Sequence, residues 1–258
     1  MKDSTPMREI KAFVVTGSSS GVGAATAVEL ARRGWAVVIN YSKSHTEAEE
    51  IAQACVRAGG EAVVVRGDVA QDADCRRLAA AALDKWGCLD GLVNNAGTTK
   101  FAPMRNLDAL SAEDFHRIFS VNLIAAYQMI RACEGPLRTA RGAVVNVSSI
   151  AGTLGIGSSV AYACSKGALN TLTLALARAL GPEIRVNAVL PGFTETRWLK
   201  QGLGDQYARA KAAYCEQSAL GTTLTPEEVA ASIVALLESK KITGQLLTVD
   251  AGRSIGTM

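Results

Sequence analysis

The sequence has few histidines, scattered cysteines and no long apolar or basic run. Its 258 residues include only two histidines, and no two of its six cysteines are spaced as Cys-x-x-Cys, which argues against a zinc site. No apolar run approaches the ~18 residues of a membrane-spanning helix. The net charge is only +3 and no five basic residues are consecutive. We therefore expect neither a nucleic acid nor a membrane as a partner.

Aromatic residues make up only 5% of the chain and charged residues 20%, whereas 48% of it is apolar. This composition excludes a disordered chain and indicates a packed core. We predict a flexible N-terminal tail over residues 1–10, which are polar and mixed in charge, and a single domain over residues 11–258. Because the start of the chain matches neither a signal peptide nor an anchor, we expect a cytoplasmic protein with free, buried thiols.

Short β-branched segments alternate with longer segments rich in Ala, Leu, Glu and Arg. The predicted strands are Ala12–Thr16, Ala36–Tyr41, Ala62–Arg66, Gly91–Asn94, Ala143–Val147, Arg185–Leu190 and Leu246–Val249. The predicted helices are Gly23–Arg33, Glu47–Ala58, Ala73–Trp86, Ala112–Cys133, Val160–Leu180 and Pro226–Ser239. This alternation predicts an α/β domain with a doubly wound parallel sheet of about seven strands and helices on both faces.

One long stretch, between Gly192 and Thr225, interrupts the alternation. It contains three glycines around a predicted helix over Gln206–Gln217. Because it follows the carboxyl end of the sixth strand, where open α/β sheets bind ligands, we predict a lid segment at about residues 193–225. The alternative is a surface helix that only closes the fold.

A glycine-rich turn joins the first predicted strand to the first predicted helix. It reads Thr16-Gly17-Ser18-Ser19-Ser20-Gly21-Val22-Gly23. Glycines let the backbone approach a phosphate closely, and the helix N-terminus adds free N–H groups. Such a turn between a strand and a helix is typical of dinucleotide binding. No Gly-Lys-Ser/Thr follows, which excludes a kinase-like P-loop.

The end of the second strand indicates which dinucleotide is bound. NAD-binding proteins place a carboxylate there for the ribose hydroxyls, but this chain reads Ile39-Asn40-Tyr41-Ser42-Lys43-Ser44. Ser42 and Lys43 can bind a 2′-phosphate, which a carboxylate would repel. We therefore predict NADP(H) rather than NAD(H); the alternative is a solvated turn in which Lys43 contacts nothing.

Tyr162 and Lys166 lie four residues apart in a strongly helical segment, which puts both on one face of the helix. A nearby ammonium stabilises phenolate, and a tyrosine activated in this way can exchange a proton with an alcohol or ketone oxygen. Taken alone, such a pair is more often a packed aromatic residue beside a surface lysine.

Polar residues at two other strand ends strengthen the catalytic interpretation. The fifth strand ends in Asn146-Val147-Ser148-Ser149, and a serine there can hydrogen-bond a reacting oxygen. The fourth ends in Asn94-Asn95-Ala96-Gly97, and the next helix carries Asn122. An asparagine facing a helix interior needs a partner, so Asn122 is expected to make a structural hydrogen bond, to serve in a proton relay, or both.

Together and in this order, these motifs resemble the short-chain dehydrogenase/reductase family from Lys11 to Gly252. The matching elements are Thr-Gly-x-x-x-Gly-x-Gly, Asp68-Val69, Asn-Asn-Ala-Gly, the mid-helix Asn, the Ser before Tyr-x-x-x-Lys, and Pro191-Gly192. The resemblance implies a Rossmann-like sheet of strand order 3-2-1-4-5-6-7. It also implies an oxidoreductase that transfers a hydride between a nicotinamide and a ketone or secondary alcohol.

The resemblance also implies a role for each matched residue. Tyr162 is the expected general acid/base, Lys166 the residue that lowers its pKa and binds the nicotinamide ribose, Ser149 the substrate-orienting serine and Asn122 the holder of a relay water. The implied cofactor contacts are Gly17, Ser19, Ser20, Gly21, Val22 and Gly23 at the pyrophosphate, Ser42 and Lys43 at the 2′-phosphate, Asp68 and Val69 at the adenine, Asn95, Ala96 and Gly97 beside the ribose and nicotinamide, and Pro191, Gly192 and Thr194 at the carboxamide.

Two positions depart from the family pattern. Many NADP-dependent members carry Arg or Lys where this chain has Ser20, and the usual Gly-Gly after the last strand is Ala251-Gly252 here.

The pattern is most similar to 3-oxoacyl-(acyl-carrier-protein) reductases. The alternatives are an NAD-dependent sugar or alcohol dehydrogenase and a non-catalytic cofactor sensor. The enoyl reductases of the related fold separate Tyr and Lys by six residues rather than three, and nucleotide-sugar epimerases have a larger C-terminal domain.

The resemblance further implies a homotetramer, or a dimer, formed through the predicted helices Ala112–Cys133 and Val160–Leu180 and the last strand. Arg138, Arg141 and Arg197 are candidates for docking an acidic acyl-carrier protein, although three such arginines are more often ordinary solvated residues. Trp198, Leu199, Leu203 and Tyr207 in the lid segment indicate an apolar part of a small-molecule substrate, or only pack the lid onto the body.

Overall fold

The computed structural model describes residues 10–256, which form one seven-stranded parallel sheet. The strands are β1 (Ala12–Val15), β2 (Ala36–Tyr41), β3 (Glu61–Arg66), β4 (Gly91–Asn94), β5 (Ala143–Val147), β6 (Arg185–Pro191) and β7 (Leu246–Val249). Their order in the sheet is β3-β2-β1-β4-β5-β6-β7, which confirms the predicted fold class and strand order.

Ten α-helices connect the strands within residues 10–256. They are α1 (Gly21–Ala31), α2 (His45–Arg57), α3 (Asp72–Trp86), α4 (Ala112–Phe119), α5 (Ala125–Ala140), α6 (Ala151–Leu154), α7 (Val160–Leu180), α8 (Arg197–Leu203), α9 (Tyr207–Glu216) and α10 (Pro226–Glu238). A π-helical segment, Ser120–Ile124, joins α4 to α5. No helix in this part of the chain combines the length and the apolar character needed to cross a bilayer.

The central strands are buried on both faces because helices cover the sheet on either side. One core cluster joins Val15 and Ile39 to apolar residues of α1 and α10, such as Leu30 and Ile233. A second cluster, on the opposite face, contains Val14 and residues of α3, α5 and α7. This two-sided burial explains why the strands read as nearly continuous apolar runs rather than as alternating patterns.

The structure corrects two of the predicted segments. The single helix predicted over Ala112–Cys133 is broken by the π-helical segment and continues past Pro136 to Ala140. The predicted irregular stretch after β6 contains α8, which begins at a Thr196 cap that accepts a hydrogen bond from the Leu199 N–H. The pattern of apolar residues does not reveal a one-residue insertion in a helical turn, and α8 is too short to show a helical period.

Two further expectations are corrected in part. All six cysteines lie in the described part of the chain and none forms a disulfide, but Cys164 is exposed and Cys215 only partly buried, so burial holds for the other four. Of the predicted tail, residues 1–9 lie outside the described residues. Ile10 packs against Ala12, Ala36 and Cys88, so the packed domain already includes it.

Candidate active site

A cleft of about 950 Å³ runs along the carboxyl edge of the sheet. The segments that follow six of the strands, β1 to β6, line it, as does the lid segment. The predicted site residues that line the cleft are Gly17, Ser19, Ser20, Gly21, Val22, Ser42, Lys43, Asp68, Val69, Asn95, Ala96, Gly97, Ser149, Tyr162, Lys166, Pro191, Gly192 and Thr194. Gly23 and Asn122 do not line it.

The glycine-rich turn after β1 presents its backbone to one end of the cleft. Gly17 and Gly21 have φ of 61° and 57°, a region that favours glycine. Ser20 is the N-cap of α1, but its side chain makes no capping hydrogen bond. The first N–H groups of α1 are therefore available to an anion, and the helix dipole adds to the attraction.

The side chains of two asparagines hold the backbone of the turn in place through hydrogen bonds. Asn95 donates its side-chain N–H groups to the carbonyls of Thr16 and Gly17, at 2.8 and 3.0 Å. The Oδ1 of Asn40 accepts a hydrogen bond from the Gly17 N–H at 2.9 Å. Asn40 was not among the predicted site residues, although a polar residue inside the apolar strand β2 already signals a required partner.

Gly23 does not face the cleft. Because it has no side chain, helix α1 can pack closely against this hydrogen-bond network. A Cβ at Gly23 would collide with the Asn95 amide nitrogen and lie 2.6 Å from the Gly17 carbonyl oxygen. Its contribution to the site is therefore close packing, which is the role expected of the third glycine in such turns.

The strand ends next to this turn carry the other residues predicted at the adenosine. Ser42 and Lys43 are exposed and line the cleft, and the Lys43 ammonium has no hydrogen-bond or ion-pair partner among residues 10–256. Asp68 also lines the cleft, and one of its carboxylate oxygens accepts a hydrogen bond from the Ala70 N–H at 3.0 Å. Ser42 and Lys43 are thus available to an incoming phosphate.

At the other end of the cleft, α7 brings Tyr162 and Lys166 to one face. The helix begins at Ser159, whose Oγ accepts a hydrogen bond from the Tyr162 N–H at 3.3 Å. The Lys166 Nζ lies 5.6 Å from the centre of the Tyr162 ring and donates to the Val147 carbonyl at 2.8 Å. Burial lowers the pKa of the Lys166 ammonium to about 8.

The Tyr162 hydroxyl lies beside the Ser149 side chain at this end of the cleft. Burial raises its pKa to about 12, opposed by a hydrogen bond with the Ser149 side chain. Since the pKa lies far above 7, the phenol keeps its proton at neutral pH.

The two serines after β5 have different surroundings. Ser148 is buried, and its hydroxyl contacts the Asn170 Oδ1 at 2.6 Å and the Lys166 carbonyl oxygen at 3.2 Å. Ser149 is more exposed and accepts a hydrogen bond from the Ala151 N–H at 3.1 Å. Ser148 therefore ties β5 to α7, whereas Ser149 keeps its hydroxyl near Tyr162.

Asn122 lies in the π-helical segment, and its side chain makes three hydrogen bonds within the protein. Its Oδ1 accepts from the Thr98 N–H at 2.8 Å, and its Nδ2 donates to the Thr98 carbonyl and to the Ser165 Oγ, both at 3.0 Å. Both amide hydrogens are thus used, and one lone pair of Oδ1 is left for a further partner. This amide ties the loop after β4 to α7.

The loop after β6 and the lid segment close the catalytic end. Gly192 lies against the Tyr214 hydroxyl, which donates to the Asp250 carbonyl at 2.6 Å. Thr194 forms a β-bridge with Leu224, so the two ends of the lid segment are joined. Ala251 has a φ of 54°. This left-handed conformation is the physical reason why glycine would suit that position.

Several apolar residues of the cleft wall had no motif to reveal them. Phe101, Ile156, Phe193 and Tyr214 line the cleft together with the predicted Trp198, Leu199 and Leu203. Tyr207 is not among the lining residues, but its ring centre lies 5.5 Å from that of Phe193. An isolated aromatic residue in a loop carries no periodic signal, so Phe101 could be found only in three dimensions.

The arginines considered for carrier docking are separated in space. Arg138 lies at the end of α5, near the start of β5, and pairs with Glu134 and Glu183 at 3.0 and 2.9 Å. Arg141 follows that helix as its left-handed cap. Both therefore lie at the edge of the sheet opposite the cleft. Only Arg197 lines the cleft, where it pairs with Glu47 at 3.5 Å.

The family model described as "Enoyl-(Acyl carrier protein) reductase" matches residues 17–254. Granaticin polyketide synthase putative ketoacyl reductase 2 of Streptomyces violaceoruber is 41% identical over 249 residues, covering 96% of this chain and 98% of that protein. An L-rhamnose 1-dehydrogenase (NAD(P)(+)) of Sphingomonas sp. is 35% identical over 250 residues, covering 95% and 96%. The crystal structure of a putative short-chain dehydrogenase/reductase from Burkholderia xenovorans superposes with a TM-score of 0.89 at 38% identity, covering 96% of this chain and 99% of that one.

Proposed function

Since the chain belongs to the short-chain dehydrogenase/reductase family and is an oxidoreductase acting on CH–OH and C=O groups, we propose that it transfers a hydride between NADP(H) and a ketone or secondary alcohol, as 3-oxoacyl reductases do. One observation carries the proposal: Ser149, Tyr162 and Lys166 share a single cleft with the glycine-rich turn. A non-catalytic sensor has no need for these three side chains at the end of its cofactor cleft.

The residues of the cleft fit a dinucleotide. The turn at Gly17 and Gly21 leaves backbone N–H groups for the pyrophosphate, and a Cβ at Gly17 would lie only 3.0 Å from the Ala96 Cα. Ser42 and Lys43 would hold the 2′-phosphate, and Asp68 and Val69 would border the adenine. When bound, the nicotinamide supplies or accepts the hydride.

In the reduction direction, Ser149 and Tyr162 hydrogen-bond the carbonyl oxygen of the substrate. Tyr162 holds its proton at neutral pH and gives it to that oxygen as negative charge develops there. The Lys166 ammonium lies beside the tyrosine ring and stabilises the phenolate that is left behind. In the oxidation direction the same groups act in reverse, and the phenolate accepts the proton of the alcohol.

Asn122 acts in this scheme as a positioning residue and as an acceptor. Its amide joins the loop after β4 to α7, so it fixes where Gly97 lies relative to Lys166. A Cβ at Gly97 would lie 3.5 Å from the Asn122 Oδ1 and 3.9 Å from the Lys166 Nζ. The unused lone pair of that Oδ1 can hold the water that returns a proton to the tyrosine.

The cofactor preference rests on Lys43, whose ammonium lines the cleft, has no partner within the described part of the chain and would neutralise a 2′-phosphate. An NAD-dependent sugar or alcohol dehydrogenase is the second candidate, because Ser20 offers the phosphate no charge and one relative is named as a rhamnose dehydrogenase that uses NAD(P)(+). Enoyl reduction is disfavoured by the three-residue separation of Tyr162 and Lys166.

We further propose a cytoplasmic homotetramer or dimer. Ile124, the last residue of the π-helical segment, and Tyr127, in the first turn of α5, are each 46% exposed, and the edge strand β7 leaves Leu247 39% exposed. These apolar groups suit the faces through which the family resemblance implies assembly. Light scattering coupled to size exclusion measures the mass directly. The structure offers no further support for an acyl-carrier partner, since two of the three candidate arginines lie away from the cleft.

The test is a fluorescence titration with NADPH and NADH, followed by turnover of a panel of ketones, thioesters and sugars. Tight NADPH binding with ketone reduction is the expected result. Tighter NADH binding with sugar oxidation would favour the second candidate. Binding without any turnover would favour the cofactor sensor.

A further inference from the structure

Resting on the proposed function, we infer that the substrate is a neutral ketone carried on a planar aromatic ring system. The inference comes from three aromatic side chains at the catalytic end of the cleft, Phe101, Tyr162 and Trp198, which we call the aromatic clamp. All three line the cleft. The general acid of the proposed reaction is itself one member of the clamp.

The three rings already lie at aromatic contact distances. The Trp198 ring centre is 5.6 Å from that of Phe101 and 6.4 Å from that of Tyr162, with interplanar angles of 52° and 42°. Aromatic rings attract one another at centroid separations of roughly 4.5–7 Å in tilted or offset arrangements. A planar ring entering beside Tyr162 would therefore meet ring faces and edges on more than one side.

The rings of the clamp are only partly buried. Phe101 packs directly on the backbone of Gly202 in α8, where a Cβ would collide with its ring. Trp198, in the first turn of the same helix, is 44% exposed although it borders the cleft. A large aromatic surface is thus left in water next to the reacting group, and a bound apolar ring would cover it.

The charges around the clamp favour a neutral substrate. Five charged residues of the described chain line the cleft: Lys43, Asp68, Arg117, Lys166 and Arg197. Arg117 and Arg197 are paired with Asp114 and Glu47, at 3.7 and 3.5 Å, and Lys166 is held by a carbonyl. Lys43 and Asp68 belong to the adenosine end. Lys166 serves Tyr162 in the proposed reaction and the two arginines already have carboxylate partners, so none of these cations is left for a substrate carboxylate or phosphate.

Part of the remaining wall near the clamp suits an apolar ring better than a polyol. It includes Ile156, Phe193, Leu199 and Leu203, which have no side-chain hydrogen-bonding group. A sugar hydroxyl placed against these side chains would lack a partner, at a cost in affinity. A flexible acyl chain would fit the apolar wall but would gain nothing from ring stacking.

The kinetic test compares two ketones with one carbon skeleton, α-tetralone, which has a planar aromatic ring, and α-decalone, which is fully saturated. We expect kcat/KM with NADPH to be about tenfold higher for α-tetralone. Trp198→Ala should remove about that factor of ten, equivalent to about 1.4 kcal/mol, mainly by raising KM for α-tetralone. Trp198→Phe should retain most of the preference. Leu220→Ala, at a residue that is 75% exposed and outside the cleft lining, is the control and should change neither ketone.

Equal kcat/KM for the two ketones, or an equal loss with both in Trp198→Ala, would overturn the aromatic clamp and leave hydride transfer intact. If neither ketone is reduced, turnover of the wider substrate panel decides whether the proposed function holds, and binding alone then tests the clamp. With NADP⁺ present, β-naphthol should quench tryptophan fluorescence saturably in the wild type and in Trp86→Phe, but not in Trp198→Phe. Quenching that persists in Trp198→Phe, or is absent from the wild type, would overturn the inference.

Discussion

The two ends of the cleft are built in different ways. At the phosphate end the ligand-facing groups are backbone N–H groups, held by Asn40 and Asn95 through hydrogen bonds of 2.8–3.0 Å. At the catalytic end they are side chains, and one of them, Lys166, keeps a charged group in a buried place. The first end depends on backbone shape and the second on side-chain chemistry.

Because the two ends of the cleft are built differently, substitutions at each end should have different effects. At the phosphate end, added volume distorts a hydrogen-bonded turn, so stability and cofactor affinity should fall together. At the catalytic end, removing a functional group should stop turnover while the fold persists, because burying that group costs stability rather than providing it. Four variants or conditions test this separation.

The largest effect is expected from Tyr162→Phe. The ring still packs against Trp198, but the donor of the proton is lost, so kcat should fall by roughly 10²–10⁴-fold. The NADPH dissociation constant should change less than about twofold, because the phosphate end is untouched. Turnover of the best ketone and NADPH fluorescence measure the two quantities. Tyr127→Phe, on α5 and outside the cleft lining, is the matched control. Wild-type turnover in Tyr162→Phe would remove this residue from the chemistry.

Gly23→Ala should show the opposite pattern, with stability and cofactor binding affected together. The new Cβ would displace the Asn95 amide, which holds the Thr16 and Gly17 carbonyls. Overpacking of this kind costs about 1–3 kcal/mol, so Tm should fall by roughly 5 °C. NADPH affinity should fall with it.

The control for that substitution is Gly135→Ala, in the interior of α5. No atom lies within 4 Å of the Cβ that it adds, so the variant should gain about 0.5–1 kcal/mol from helix propensity. Differential scanning calorimetry compares the two variants. A Gly23→Ala protein with wild-type Tm and NADPH affinity would show that the turn tolerates distortion, and the contrast between the two ends would fail.

A smaller and more selective effect is expected from Lys43→Glu. Charge reversal beside a 2′-phosphate should weaken NADPH binding by about tenfold or more and leave NADH binding nearly unchanged. Lys240→Glu makes the same change in net charge at an exposed position between α10 and β7, which is the edge of the sheet opposite the cleft. The NADPH effect should shrink as salt is added. Equal losses for both cofactors would contradict the role assigned to Lys43.

The sequence predicted most of the fold and the motif-bearing part of the site, for a physical reason. Apolar strands that alternate with helices leave few arrangements other than a parallel sheet, and this is how the strand order could follow from the family resemblance. The turn, Ser149, Tyr162 and Lys166 sit at fixed spacings. Once the order of the strands is known, the fold alone brings these residues to one cleft.

The features that escaped prediction depend on contacts between distant segments. Phe101 meets Trp198 only because the loop after β4 packs on Gly202. The π-helical turn at Asn122 coincides with amide contacts to Thr98 and Ser165, and no helical periodicity reveals such an insertion. Arg138 and Arg197 looked equivalent along the chain but lie at opposite edges of the sheet. Spacing describes neighbours along one element, whereas these residues were placed by the packing of different elements.

The smallest effect is the pH dependence, and it tests the catalytic end most directly. Burial lowers the pKa of Lys166 to about 8, so the ammonium loses its proton as the pH rises through that value. The charge that stabilises the Tyr162 phenolate disappears with it, and ketone reduction should decline above about pH 8. In Lys166→Arg, whose guanidinium stays protonated, any remaining activity should show no decline there. A wild-type profile that is flat to pH 10 would contradict this role of the lysine.

The free energy of unfolding should rise with pH over the range in which the activity falls. The unfolded chain keeps the lysine proton up to a pKa of roughly 10.4, whereas the folded chain releases it near 8. Between these values the unfolded state binds more protons, so the contribution of Lys166 to the free energy of unfolding rises with pH. Urea denaturation of the wild type and of Lys166→Met at pH 7 and 9.5 isolates that contribution. If the wild type gains stability between pH 7 and 9.5 while its activity falls, the buried charge of Lys166 destabilises the fold. If the free energy of unfolding depends on pH identically in the wild type and in Lys166→Met, the burial of Lys166 has no such effect.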